Sequence, residues 1–278
     1  MPSTSSKVII ITGGAGGIGR AMARAIVDGG GRVAIMDRDG AAAQQFATEL
    51  QERHGDGVAL ALVGDVASEA DCNSAVARSV THFGAMDGLI NNAGIGVSSI
   101  RPDAERNAPS IMEITPELWR RFFDVNVTGA YLMTRAVIPH FLAQRWGRIV
   151  NITTSFFTML RILPYGASKA ALESASAIWA KEFTGTGVTV NVLVPGGPTD
   201  TPFVHDESGI NRAKMLKPEI MGPPARWLTT TDSDGVTGQR FIAARWDATL
   251  TDDEAAHRAG SPIGWPDLAR STVVWPKD

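Results

Sequence analysis

Val8-Ile9-Ile10-Ile11-Thr12-Gly13-Gly14-Ala15-Gly16-Gly17-Ile18-Gly19 begins the first regular segment of the chain, and its reading decides the fold. Val8 to Ile11, four apolar β-branched residues in a row, suit a strand that is buried on both faces. The glycines that follow tolerate a left-handed backbone and let the main chain approach a ligand closely. An amphipathic stretch then starts at once, near residues 17–29. A strand that runs through such a turn into a helix aims unpaired N–H groups and the positive end of the helix dipole at a pyrophosphate. Thr12, Gly13, Gly17, Ile18 and Gly19 are therefore candidate dinucleotide contacts.

The same rhythm continues along the chain. Apolar runs at 33–36, 58–63, 88–90, 148–152, 188–194 and 239–243 alternate with helix-like stretches at 40–53, 68–83, 115–144, 166–184 and 219–229. Strand–helix–strand repetition implies parallel pairing with right-handed crossovers. The expected fold is α/β: one doubly wound parallel sheet of about seven strands with helices on both faces, a Rossmann fold. Residues 1–278 form one domain in this reading, with its core at 7–245. Two further stretches are set apart: a Gly/Pro/Asp-rich segment at 196–218, expected to act as a substrate lid, and a tail at 247–278. Trp265 and Trp275 in that tail, with Trp246 just before it, are expected to pack on the fold or on a neighbouring subunit. The second strand ends in Asp37-Arg38. A carboxylate there is placed to accept hydrogen bonds from an adenosine ribose and to repel a 2′-phosphate, which favours NAD. Arg38 could stack on adenine or offer charge to a 2′-phosphate, so NADP stays as the second choice.

Composition narrows the function classes. Of 278 residues, 44% are hydrophobic and 20% charged, and the formal net charge is −3. That balance argues against a nucleic-acid surface or a polybasic membrane patch. The single cysteine, Cys72, excludes an intrachain disulfide and a Cys-rich metal site, and the five histidines show no ligand spacing. No apolar stretch nears the roughly 18 residues that a membrane span needs, and Met1 to Lys7 lacks the apolar segment of a signal peptide. A cytoplasmic protein with no bound metal is expected.

With these residues in view the chain resembles the short-chain dehydrogenase/reductase family. Thr12, Gly13, Gly17 and Gly19 match its T-G-x-x-x-G-x-G turn. Asp65-Val66 looks like the pair that flanks the adenine, Asn91-Asn92-Ala93-Gly94 matches N-N-A-G, and Asn126 matches an active-site asparagine. Tyr165-Gly166-Ala167-Ser168-Lys169 matches Y-x-x-x-K, and Pro195-Gly196 matches a P-G after the sixth strand. The resemblance spans about 7–245. It implies a hydride-transferring oxidoreductase with Asp65, Val66, Asn92, Ala93, Gly94, Pro195 and Gly196 on the cofactor. Thr199 or Thr201 would contact the nicotinamide carboxamide, Lys169 the nicotinamide ribose, and Asn126 a water that links Lys169 to solvent. It also implies a homodimer or homotetramer built through the helices at 115–144 and 166–184.

The chemistry can be argued from the residues themselves. Tyr165 and Lys169 stand four apart at a helix start, hence one turn apart on one face. A phenol ionises near pH 10, and a nearby ammonium lowers that value, so Tyr165 could act as the general acid/base toward an alcohol or ketone. The family also has a serine after the fifth strand that steadies the substrate oxygen. Here the segment reads Asn151-Ile152-Thr153-Thr154-Ser155, and either Thr154 or Ser155 could fill that place; Ser155 is preferred. Ile95, Val97, Phe156, Phe157, Met159, Leu160 and Phe203 are candidate pocket residues, which favours a hydrophobic secondary alcohol or ketone. His205 and Arg212 are read as solvated lid charges. Two other readings compete: a non-catalytic dinucleotide-binding regulator, disfavoured by the presence of both Tyr165 and Lys169, and an epimerase or dehydratase, disfavoured by the short tail.

Overall fold

The computed structural model describes residues 7–267; Met1 to Ser6 and Trp275 of the tail lie outside them. Seven strands lie close to the predicted positions: β1 Val8–Thr12, β2 Arg32–Asp37, β3 Ala59–Val63, β4 Gly88–Asn91, β5 Gly147–Ile152, β6 Val188–Val194 and β7 Gln239–Ile242. All pair in parallel, in the order β3-β2-β1-β4-β5-β6-β7. An eighth strand, β8 Gly260–Pro262, was not expected; it pairs antiparallel with β7. It is three residues long and ends in proline, a composition that tolerates only an edge.

The helices are α1 Gly17–Asp28, α2 Gly40–His54, α3 Glu69–Phe83, α4 Pro116–Phe123, α5 Gly129–Gln144, α6 Phe156–Met159, α7 Tyr165–Glu182, α8 Gly222–Leu228 and α9 Asp252–Ala259. Successive strand residues face opposite sides, so the run in β1 serves two cores. Ile9 and Ile11 pack with Met22 and Ile26 of α1, Phe46 and Leu50 of α2 and Leu228 of α8. Val8 and Ile10 pack with Val76 of α3, Val137 and Phe141 of α5 and Ala180 of α7. The order reverses at β1, which has β2 on one side and β4 on the other. Ligands bind beyond the carboxyl ends of strands at such a point.

The stretch read as one helix over 115–144 is two helices joined by a π-helical turn, Asp124–Thr128. The tail after β7 is not a plain extension. It forms α9, started by a Thr251–Glu254 capping box, and then β8. Trp246 packs on Trp227 with ring centres 5.6 Å apart, and Trp265 lies 5.7 Å from the ring of Phe156. No helix among the described residues is long and apolar enough to cross a membrane.

Candidate active site

The glycine turn is clamped to the end of β4 by side chains from both segments. Thr12 Oγ1 accepts from the backbone N–H of Asn92 and of Ala93, each at 3.0 Å. Asn92 Nδ2 donates to the carbonyls of Thr12 and Gly13 at 2.9 Å. Gly13 has φ 59° and Gly17 φ 44°, the left-handed region that favours glycine. A Cβ at Gly19 would lie 2.3 Å from the Gly13 carbonyl oxygen, so only glycine lets α1 come this close. Gly16 caps α1 without a side-chain hydrogen bond, and a Cβ there would meet nothing within 4 Å. Open space therefore lies before an uncapped helix start with Ile18 in its first turn, as a pyrophosphate requires.

Asp37 stands at the lip of this turn. Its Oδ2 accepts from Ala15 N–H at 3.2 Å and its Oδ1 from Asp39 N–H at 3.1 Å. Arg38 leans toward Asp65, with an exposed ion pair at 3.9 Å. Val66 is buried against the start of α5, where a Cβ on Gly129 would lie 2.7 Å from it. Beyond β6, Gly196 has φ 99° and Pro195 accepts from Ala244 N–H. Thr201 sits against the glycine turn, 3.1 Å from where a Gly17 Cβ would be, while Thr199 bridges to Leu216. Of the two threonines left open by the sequence, Thr201 is the one brought to the turn.

Tyr165 begins α7 and Lys169 follows one turn later. Lys169 is 4% exposed; its Nζ donates to the Ile152 carbonyl at 2.8 Å and lies 6.0 Å from the Tyr165 ring centre. Burial pushes its ammonium down to about 8. The Tyr165 phenol moves the other way from the expected lowering. Burial raises it, the hydrogen bond from Thr154 opposes that rise, and the Glu105 carboxylate adds to it. The π-helical turn points Asn126 inward, where Oδ1 accepts from Ile95 N–H at 2.8 Å and Nδ2 donates to Ile95 O at 3.1 Å and Ser168 Oγ at 3.0 Å. A Cβ at Gly94 would lie 3.1 Å from Asn126 Oδ1 and 3.5 Å from Lys169 Nζ, so the N-N-A-G segment joins the glycine turn to the lysine.

The two adjacent hydroxyls face different partners. The Thr154 hydroxyl faces Tyr165 and works against the rise of the phenol. Ser155, the residue preferred from sequence, caps α6: its Oγ accepts from Thr158 N–H at 3.1 Å and pairs with Thr158 Oγ1 at 2.9 Å. Phe203 covers the phenol with ring centres 6.1 Å apart, and Phe156 and Phe157 are exposed nearby on α6. Val97 and Met159 are buried, and Val97 packs in a small cluster with Ala104, Ile162 and Tyr165. The segment that carries Phe203 is knotted to itself. Arg212 bonds the carboxylates of Asp200 and Asp206 and the Val204 carbonyl, Lys217 bonds Asp200, and Leu216 N–H bonds Pro198 O. His205 is exposed. Ser168, which ties Asn126 to α7 by donating to the Tyr165 carbonyl, and Glu105 escaped the sequence reading. The three-residue step from Tyr165 to Ser168 was the available signal for the first.

Comparison with known proteins agrees with this geometry. The pattern of the short chain dehydrogenase family matches residues 7–209. Fluoren-9-ol dehydrogenase of Terrabacter sp. is 28% identical over 95% of this chain and 76% of its own length. A 2,5-dichloro-2,5-cyclohexadiene-1,4-diol dehydrogenase of Sphingobium indicum is 32% identical over 84% of this chain and 93% of its own. Among solved structures, a 3-ketoacyl-(acyl-carrier-protein) reductase from Brucella melitensis, complexed with NADH, superposes with a TM-score of 0.71 at 32% identity, covering 84% of this chain and 95% of that one. The glycine turn, the inward asparagine and the Tyr165–Lys169 pair thus agree with the sequence match, and the chain belongs to the short chain dehydrogenase family.

Proposed function

We propose that this oxidoreductase moves a hydride between NAD and a bulky, hydrophobic secondary alcohol or its ketone, with Tyr165 as the general acid/base. The observation that carries the reading is the buried Lys169 ammonium one turn along α7 from Tyr165, joined through segment 92–94 to the turn of Gly13. A bound nicotinamide supplies or takes the hydride. The chain's own residues do the rest. Tyr165 exchanges the proton at the substrate oxygen, and Thr154 holds that oxygen by a hydrogen bond. Lys169, charged below about pH 8 and one turn along α7, would set its ammonium against the burial that raises the phenol. Asn126 braces Ile95 and Ser168 around them. Phe203 and Phe156 offer an apolar wall that excludes water, and a relative named for fluoren-9-ol supports a large aromatic substrate. Replacing Tyr165 by Phe keeps the ring and removes the proton carrier. Turnover of such alcohols should fall by at least about a hundredfold while NADH fluorescence still reports binding; undiminished turnover would refute the mechanism.

The reading of NAD over NADP is supported by Asp37, whose carboxylate stands at the lip of the glycine turn where it would meet an adenosine ribose, and by Arg38 being drawn toward Asp65. Wild-type kcat/KM should be higher with NAD, and Asp37→Ala should narrow the difference. A wild-type preference for NADP overturns this assignment. We read the protein as a cytoplasmic homo-oligomer, supported by its single buried cysteine and by the exposed Ile111, Met112 and Trp119 before and on α4.

A further inference from the structure

Behind the hydroxyl pair lies a charged couple that the reading above leaves without a task. Glu173 is one turn past Lys169 on α7, and Arg240 is on β7. Their side chains are 0% and 3% exposed. Arg240 Nη1 donates to Glu173 Oε2 at 2.6 Å and to Thr153 Oγ1 at 3.2 Å. Thr153 Oγ1 in turn donates to Glu173 Oε2 at 2.7 Å. The other arm, Nη2, donates to the Thr154 carbonyl at 2.5 Å. The guanidinium also lies 4.3 Å from the ring centre of Phe156, the residue on which Trp265 of the tail rests.

Such a couple is a poor device for stability alone. Removing two charges from water costs more than their attraction commonly returns, and apolar residues of similar volume often hold a core as well. Here the cost is higher, because Glu173 Oε1 is buried with no hydrogen-bond partner. What the couple does achieve is geometric. Thr153 and Thr154 follow β5, where regular pairing has ended. A planar guanidinium can hold a carboxylate with one arm and a carbonyl with the other, which an ammonium cannot do with the same fixed geometry.

We propose that Arg240, oriented by Glu173, is a positioning residue: by gripping the Thr154 carbonyl and the Thr153 hydroxyl it fixes the direction of the Thr154 side chain toward the Tyr165 phenol, and its contact with Phe156 extends that fixed unit to the wall of the substrate site. This rests on the roles given to Tyr165 and Thr154 above. Small displacements of a reacting group cost large factors in rate, so the effect should appear in kcat rather than in cofactor affinity.

The test uses the full chain and three readouts: kcat, NADH affinity by fluorescence and Tm. Arg240→Lys keeps the charge beside Glu173 and loses the second arm. Glu173→Met with Arg240→Met removes both charges together and avoids stranding one. Each should lower kcat by about tenfold or more with NADH affinity unchanged, and the double variant should keep its Tm within a few degrees. In a Thr154→Val background, Arg240→Lys should cause little further loss, because the two changes act on one contact. Full kcat in either variant, or losses that simply add in the Thr154→Val background, would overturn the proposal. Should the double variant not fold, Arg240→Lys and its cycle with Thr154→Val decide alone. The outcomes also separate the two claims. An active Tyr165→Phe enzyme sinks the acid/base reading, whereas an inactive Tyr165→Phe beside a fully active Arg240→Lys sinks only the positioning role.

Discussion

Between Thr154 and Ser155 the backbone passes from the end of β5 into the cap of α6, so adjacent hydroxyls meet different neighbours. Thr154→Val removes the hydrogen bond at the phenol and keeps the branched shape; kcat should fall by about a hundredfold, the scale of losing one positioned donor. Ser155→Ala removes a cap from a helix of one turn. It should lower stability by about 1 kcal/mol, read from denaturant midpoints, with kcat close to wild type. Equal kcat losses in the two variants would contradict this division of labour. Sequence alone placed both residues at the site and preferred Ser155, but the division between them depends on where the chain turns, which a spacing count does not show. The same holds for Thr199 and Thr201. By contrast Tyr165, Lys169 and the glycine turn were legible, since each belongs to a spaced motif whose geometry is local, while Asn126 came from the family resemblance alone.

At the scale of elements, the strands were legible because both faces are buried and their apolar runs are continuous. β6 matches its reading end to end, and β1 extends it by one residue. What escaped was set by distant partners. The π-helical turn inside 115–144 contains no Gly or Pro to mark a break; it carries Asn126, which bonds Ile95 and Ser168 across the fold. The residues Gly260-Ser261-Pro262 of β8 have little strand propensity. They pair because β7 offers an open edge and Phe241 packs over Gly260, where a Cβ would lie 3.0 Å from its ring. Arg240 and Glu173 are 67 residues apart, and no spacing rule joins them. The net direction of the phenol's shift was not legible, because sequence shows which groups are neighbours and not how dry their surroundings are; burial raises it.

For the whole molecule, the dry setting of Lys169 links catalysis to stability. Its ammonium is depressed from 10.5 to about 8, so the folded state gives up this proton before the unfolded chain does. Between those values the unfolded chain holds more protons, and stability from this group is lost as pH falls from about 10.5 toward 8. A shift of that size corresponds to at most about 3 kcal/mol. Lys169→Met should therefore gain Tm relative to wild type at pH 7, and that gain should shrink steadily as pH is raised to 10. A difference that does not change with pH would mean that the charge is not strained in the fold. The Arg212 knot has a separate outcome for capture. Asp200, Val204, Asp206 and Leu216 are already tied into one body over Phe203's side of the cleft. An arriving guest meets a finished shutter rather than loose rope, and the conformational entropy of arranging it was surrendered when the chain first folded.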